Sequence, residues 1–233
     1  MKNALICSTL LALSCAFASA QGTVPAASAP AAQAASAGTT NGATIEAKVA
    51  MCIGCHGIRG YQASFPEIHK VPMIGGQDAK FIAAALNAYK KGERKHPTMR
   101  AVAIALSEQD IADVSAYYQQ QGQHGAQGAP AQPGAAPAEV AALLTKGACA
   151  SCHGANYSKP IDGSYPKLAG QHADYLYVAL KAYKTEGNAQ VGRNNAIMSG
   201  QAKQFSNAEM RLLANYLATL PGELATVPQA KFR

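Results

Sequence analysis

The sequence predicts an all-α protein made of two tandem helical domains of the same kind. Three observations carry this reading: a five-residue motif that occurs twice, an internal repeat that surrounds it, and apolar spacings of helical period with no segment alternating as a strand.

At the N-terminus, Met1-Lys2-Asn3 is a short positive start and residues 4–18 are an apolar run broken only by small or weakly polar side chains. Ala18-Ser19-Ala20 then offers a small-residue cleavage site, so residues 1–20 read as a secretory signal peptide and the mature chain is expected to begin at Gln21 in the periplasm. The run is too short for a spanning helix. Ala12-Leu13-Ser14 before Cys15 is a poor match to a lipid-attachment box. Residues 21–43 are rich in Ala, Gly, Ser and Thr and are expected to be disordered. No later stretch has the length and apolarity to cross a bilayer, which predicts a soluble or loosely membrane-associated protein.

Of six cysteines, Cys7 and Cys15 leave with the signal. The other four form Cys52-Ile53-Gly54-Cys55-His56 and Cys149-Ala150-Ser151-Cys152-His153. C-x-x-C-H is the attachment signature of c-type haem: two thiols add to the vinyl groups on one side of the porphyrin and the adjacent imidazole reaches the iron. Structural disulfides suit an oxidising compartment but leave both histidines unexplained. A thioredoxin-like pair would sit in a βαβ pattern, which is missing, and a zinc site needs four ligands close together. Two covalently attached haem c groups are therefore expected.

Residues 72–90 and 166–184 align at an offset of 94, identical at Pro72/Pro166, Gly76/Gly170, Gln77/Gln171, Ala79/Ala173, Ala85/Ala179, Leu86/Leu180, Ala88/Ala182, Tyr89/Tyr183 and Lys90/Lys184. Further on, the offset becomes 99 and pairs Tyr117 with Tyr216 and Met99 with Met198. The second axial ligand must be a soft sulfur or an imidazole. Met73, His96 and His172 face Lys167, Asn195 and Asp78, so none has a counterpart of its own kind. The iron ligands are thus expected to be His56 with Met99 and His153 with Met198, the methionines lying in short loops before a helix.

Helices are predicted to lead into the motifs over residues 45–51 and 139–146. Residues 78–91 place Phe81, Ala84, Ala85, Ala88 and Tyr89 on one stripe, and residues 172–185 repeat it with Tyr175, Ala179, Leu180 and Tyr183. Ser107 with Asp110 and Ser206 with Glu209 look like capping arrangements opening the last helix of each domain. The expected domains span 44–120 and 138–221, joined by a Gln-, Gly-, Ala- and Pro-rich linker over 121–137 and followed by a tail over 222–233. Domains of some eighty residues struggle to bury enough core alone, and haem would supply it.

On these motifs, together with Pro-Met-Ile-Gly-Gly-Gln at 72–77 and Pro-Lys-Leu-Ala-Gly-Gln at 166–171, the chain resembles cytochrome c4, a family of two-domain periplasmic dihaem cytochromes, from about residue 45 to 221. The resemblance implies two cytochrome c-like domains. It also implies electron transfer from a quinol-oxidising complex of the bc1 type to a terminal oxidase or periplasmic reductase. It further implies that a proline carbonyl accepts the proton of each proximal imidazole, a place matched by Pro72 and Pro166. Methionine as sixth ligand favours reduced iron and fills the coordination sphere, which points to a carrier rather than an enzyme. The alternatives are a haem subunit of a periplasmic dehydrogenase, for example one oxidising sulfur compounds, and a dihaem peroxidase, against which the symmetry of Met99 and Met198 argues. Residues 91–98 number eight and the matching 185–197 thirteen, so the two crevices should differ in exposure and potential.

Twenty Lys and Arg against thirteen Asp and Glu give +7, which falls by one when Lys2 leaves, and four propionates offset much of the rest. Lys80, Lys90, Lys91, Lys167, Lys181 and Lys184 have two readings, a docking face for an acidic redox partner or an ordinary solvated face. Nucleic acid is not an expected ligand of an exported haem protein.

Overall fold

A computed structural model describes residues 43–122 and 134–228. The expected signal peptide, nearly all of the segment expected to be disordered and the middle of the expected linker lie outside the described residues. No helix among those described is long and apolar enough to cross a membrane.

In the first domain, Ile45, Val49 and Ile53 recur every four residues, and α1 (Ile45–His56) turns Val49 and Ile53 into the core. The helix runs on through the motif, so Cys52, Cys55 and His56 stand on its last turns. The second domain differs. There α5 (Ala138–Lys146) buries Val140, Leu143 and Leu144 and then stops. Ala148 adopts a left-handed conformation at φ 45, and the motif resumes as the single turn α6 (Ala150–His153).

The central helices are α2 (Ala79–Lys91) and α7 (Ala173–Lys184). The predicted stripe of α2 is out of phase by about one residue. Ile82, Leu86 and Tyr89 fill the core, Phe81 and Ala85 line a cavity, and Ala84 is exposed. The reason is that alanine marks a face weakly, and the larger Ile82 and Leu86 decide which side turns inward.

Two short helices follow, α3 (Pro97–Ile104) and α8 (Ala196–Lys203), and then the long α4 (Glu108–Gln121) and α9 (Asn207–Thr219). Both long helices open with reciprocal capping boxes. Asp110 N–H donates to Ser107 Oγ at 3.1 Å and Ser107 N–H to Asp110 Oδ2 at 3.1 Å; Glu209 N–H donates to Ser206 Oγ at 3.2 Å and Ser206 N–H to Glu209 Oε2 at 2.6 Å. In each domain the central helix lies against the following two, around separate cores centred on Ile111 and Val114 in the first and Met210 and Leu213 in the second.

Short strands, absent from the sequence reading, complete the fold. β1 (Gln62–Ala63) pairs antiparallel with β2 (His69–Lys70) inside the first domain. β3 (Arg94–Lys95) pairs with β4 (Gly192–Arg193) between the domains, Arg94 opposite Arg193. Strands of two residues carry too little alternation to be read from sequence.

Residues 222–228, expected as a tail, instead cross to the first domain. Gly75 and Ala225 exchange backbone hydrogen bonds at 3.1 and 2.9 Å, and Glu223 accepts an ion pair from Lys167 at 2.7 Å. Gly76 and Gly170, identical in the repeat, hold the same place. Both are left-handed, at φ 80 and 76, and donate to the backbone near the end of the last helix, Tyr118 O at 2.8 Å and Leu217 O at 3.0 Å.

Candidate functional site

One continuous cavity of about 630 Å3 takes in both halves of the molecule, and all ten residues singled out in the sequence line it. Cys52, Cys55, Cys149 and Cys152 are half-buried and form no disulfide. Each motif histidine donates from Nδ1 to a proline carbonyl: His56 to Pro72 O at 2.8 Å, His153 to Pro166 O at 2.9 Å. The carbonyl can only accept, so Nδ1 carries the proton and Nε2 presents its lone pair to the cavity. Withdrawal from water pushes both imidazoles below the ordinary histidine range, outweighing the proline carbonyls, and keeps them neutral as ligation requires.

Met99 and Met198 stand not in loops but in the first turns of α3 and α8. Each helix start is capped by the side chain three residues before the methionine. His96 caps the first, Nδ1 accepting from Met99 N–H at 3.4 Å, and Pro97 occupies the first helical position. Asn195 caps the second, Oδ1 accepting from Met198 N–H at 2.9 Å. Eight-residue helices show little periodicity, but Asn195 as a capping residue and Pro97 at a first helical position were there to be read. Met73, passed over as a ligand, has its backbone engaged by the other domain at Gln171.

Between the half-sites lies a cationic cluster that sequence reasoning missed. Arg94 and Arg193 both donate to Tyr175 Oη, at 2.9 and 3.2 Å. Arg94 also stacks over Tyr89 at 4.8 Å and Arg193 over Tyr183 at 5.2 Å. Burial pushes the Tyr175 phenol up, but the two guanidiniums outweigh it and bring the group down to about 8. Arg94 Nε is shielded from solvent with no hydrogen-bond partner among the described residues. The offset of 99 that pairs Met99 with Met198 also pairs Arg94 with Arg193, which is the signal that could have found them.

The cytochrome c family model matches residues 39–122 and again 137–221. Cytochrome c4 of Thiocapsa roseopersicina is 30% identical over 182 residues, covering 73% of this chain and 87% of that protein. The chain belongs to the cytochrome c4 family. The solved structure of Acidithiobacillus ferrooxidans cytochrome c4 is 29% identical with a TM-score of 0.55, covering 74% of this chain and 99% of the other. A thiosulfate dehydrogenase electron acceptor of Stutzerimonas stutzeri is 29% identical, covering 72% of this chain and 78% of its own length.

Like cytochrome c4, this protein is a dihaem electron-transfer cytochrome with two covalent haem c groups at its two C-x-x-C-H motifs. The site fits that cofactor on its own evidence. Two pairs of unpaired thiols open on a mainly apolar cavity, and the orphaned Arg94 Nε and its neighbour Arg193 suit the acidic propionates of a haem edge.

Of the six lysines read as either a docking face or a solvated face, five are bonded within the chain. Lys80 pairs with Asp162, Lys90 with Glu108, Lys167 with Glu223 and Lys181 with Glu67, while Lys184 donates to Phe205 O at 2.6 Å. These contacts run both within and between the two domains.

Proposed function

We propose that the protein is a periplasmic carrier that takes electrons from a quinol-oxidising complex, hands them to a terminal oxidase or another periplasmic acceptor, and catalyses no reaction of its own. The observation that carries this reading is the duplicated arrangement around the cavity. Each half brings together a C-x-x-C-H motif, a histidine held at Nδ1 by a proline carbonyl, and a methionine on a capped helical turn.

In this reading Cys52 and Cys55, and Cys149 and Cys152, form the thioethers. His56 and Met99 ligate one iron, His153 and Met198 the other. Bound haem supplies a centre that gains and loses one electron. Pro72 and Pro166 orient the imidazoles and raise their basicity. The methionine sulfurs favour the reduced metal and, with the histidines, leave no position for a substrate. Residues 185–191 make the second connection longer, and Asn188 O accepts from Lys95 at 2.5 Å, so the two crevices are walled differently and the potentials are unequal.

A second reading, supported by the likeness to the thiosulfate dehydrogenase electron acceptor, makes a periplasmic sulfur-compound dehydrogenase the donor. A potentiometric titration of the periplasmic holoprotein, with the far-red sulfur-to-iron band recorded in the oxidised form, tests the ligand set. Two low-spin centres with the band and at distinct positive potentials are expected. A centre without the band that binds added ligands overturns the carrier reading in favour of a peroxidase. Reduction by purified bc1-type complex but not by thiosulfate dehydrogenase decides between the donors.

A further inference from the structure

Gln77 and Gln171, identical in the repeat and buried to within 4% and 3% of full enclosure, reach across the domain boundary onto each other's half. Gln171 Oε1 accepts from Met73 N–H at 3.0 Å, and its Nε2 donates to Met73 O at 2.9 Å. Reciprocally, Gln77 Oε1 accepts from Lys167 N–H at 2.9 Å and its Nε2 donates to Lys167 O at 3.1 Å. The amide orientations are fixed by a further donor each, His172 N–H to Gln171 Oε1 at 3.1 Å and Asp78 N–H to Gln77 Oε1 at 3.2 Å. A flipped amide would set its NH2 against two N–H groups.

Met73 N–H and Pro72 C=O belong to one peptide unit, as do Lys167 N–H and Pro166 C=O. The carbonyl end of each unit accepts from a motif histidine. The N–H end of the same unit donates to a glutamine of the other domain. Hydrogen bonds in such a chain polarise one another: an acceptor on the N–H end makes the carbonyl at the other end a better acceptor.

We infer that Gln171 tunes the haem of the first domain through Met73, Pro72 and His56, and that Gln77 tunes the haem of the second through Lys167, Pro166 and His153. They are positioning residues, and the inference rests on His56 and His153 being the iron ligands as proposed above. A stronger proline carbonyl draws the Nδ1 proton, gives the imidazole more anionic character and stabilises the oxidised metal. Each half therefore sets part of the other's potential, and the tuning exists only while the domains are docked.

The test uses the full-length dihaem protein with Gln171→Leu and Gln77→Leu. The reduced, diamagnetic protein labelled with 15N-histidine reports the two ring Nδ1–H resonances, and a redox titration reports the potentials. Gln171→Leu is expected to move the His56 Nδ1–H upfield, leave that of His153 in place and raise the first-domain potential. Cooperativity of roughly 10–30% on a charge-assisted hydrogen bond corresponds to about a 1.3- to 5-fold change in the reduced-to-oxidised ratio at fixed potential, about 7–40 mV. Gln77→Leu gives the mirror result. Gln171→Glu keeps an oxygen opposite Met73 N–H and leaves the His56 resonance at or downfield of its native position.

A shift confined to the substituted residue's own domain, equal shifts at both histidines, or the same direction for Leu and Glu overturns the relay. Should the variants fail to fold, the unsubstituted protein still decides. A coupling across the hydrogen bond from Met73 15N to the Gln171 side-chain carbonyl carbon is required, and its absence refutes the inference. Native protein lacking the sulfur band or coordinated-imidazole resonances condemns the ligand assignment, whereas native protein that has both without the crossed pattern condemns the relay alone.

Discussion

The same substitution at the two repeat-related glycines should have unequal cost, because only Gly76 is packed tightly under the C-terminal segment. Gly76→Ala and Gly170→Ala both force alanine into a left-handed conformation, at φ 80 and 76, which costs about 1–2 kcal/mol. At Gly170 the new methyl would lie 3.3 Å from Leu220 O and 3.6 Å from Gly222 N, contacts that small shifts relieve. At Gly76 it would fall inside van der Waals contact of Glu223 O and 2.8 Å from Gly122 Cα. Both neighbours are backbone, so the crossing segment must move. That movement breaks the paired hydrogen bonds between Gly75 and Ala225, each contributing about 0.5–1.5 kcal/mol. Gly76→Ala is therefore expected to cost about 2–5 kcal/mol and Gly170→Ala about 1–2 kcal/mol. Guanidinium unfolding of the reduced holoprotein measures the difference, and limited proteolysis near residue 225 reports release of the segment. Gly170→Ala costing as much as Gly76→Ala, with the segment still protected in both, would refute the reasoning.

Lys48 pairs with Asp113 at 2.5 Å and Asp110 at 3.0 Å. Its hydrogen bond holds the Asp113 carboxyl below the ordinary range, and the two carboxylates, Asp113 first, hold the ammonium above its own. A depressed carboxyl stabilises the fold above its unfolded pKa of about 3.9 and ceases to as pH falls through the native value. A raised ammonium stabilises below about 10.4 and ceases to as pH rises through its native value. Lys48→Met should therefore lower the thermal midpoint between about pH 4 and 10 and converge with the parent in acid; a difference independent of pH in a set of melts would contradict this. Ser206→Ala should cost about 1 kcal/mol by chemical denaturation, and Ser107→Ala at least as much, because Asp110 beneath it is buried and also accepts from Ser107 Oγ at 2.6 Å. Met198→Ala should remove part of the far-red band, lower one potential and let that centre bind carbon monoxide, while Met99→Ala does the same to the other; a band unchanged in either variant would dismiss that methionine as ligand.

Local chemistry was legible in the sequence because it is local. A C-x-x-C-H motif needs only five adjacent residues, and a capping box only four, so both could be read without knowing what lay across the molecule. The repeat added the pairing of Met99 with Met198, since duplication copies position along the chain. The phase of α2 was misread because its alanines mark no face strongly, and the turns carrying the methionines were read as loops because eight residues show little period. Gln77 and Gln171 were visible as identities and nothing more. Their partners lie 90 and 98 residues away. The same holds for Arg94 and Tyr175, and for Gly75 and the segment around Ala225. The sequence by itself determined the cofactor chemistry and the two-fold plan, because covalent attachment and helix capping are set by neighbours in the chain. Only the tertiary structure decided which half of the molecule holds the other's histidine-binding peptide, because hydrogen-bond partners across an interface are chosen by how two finished domains dock.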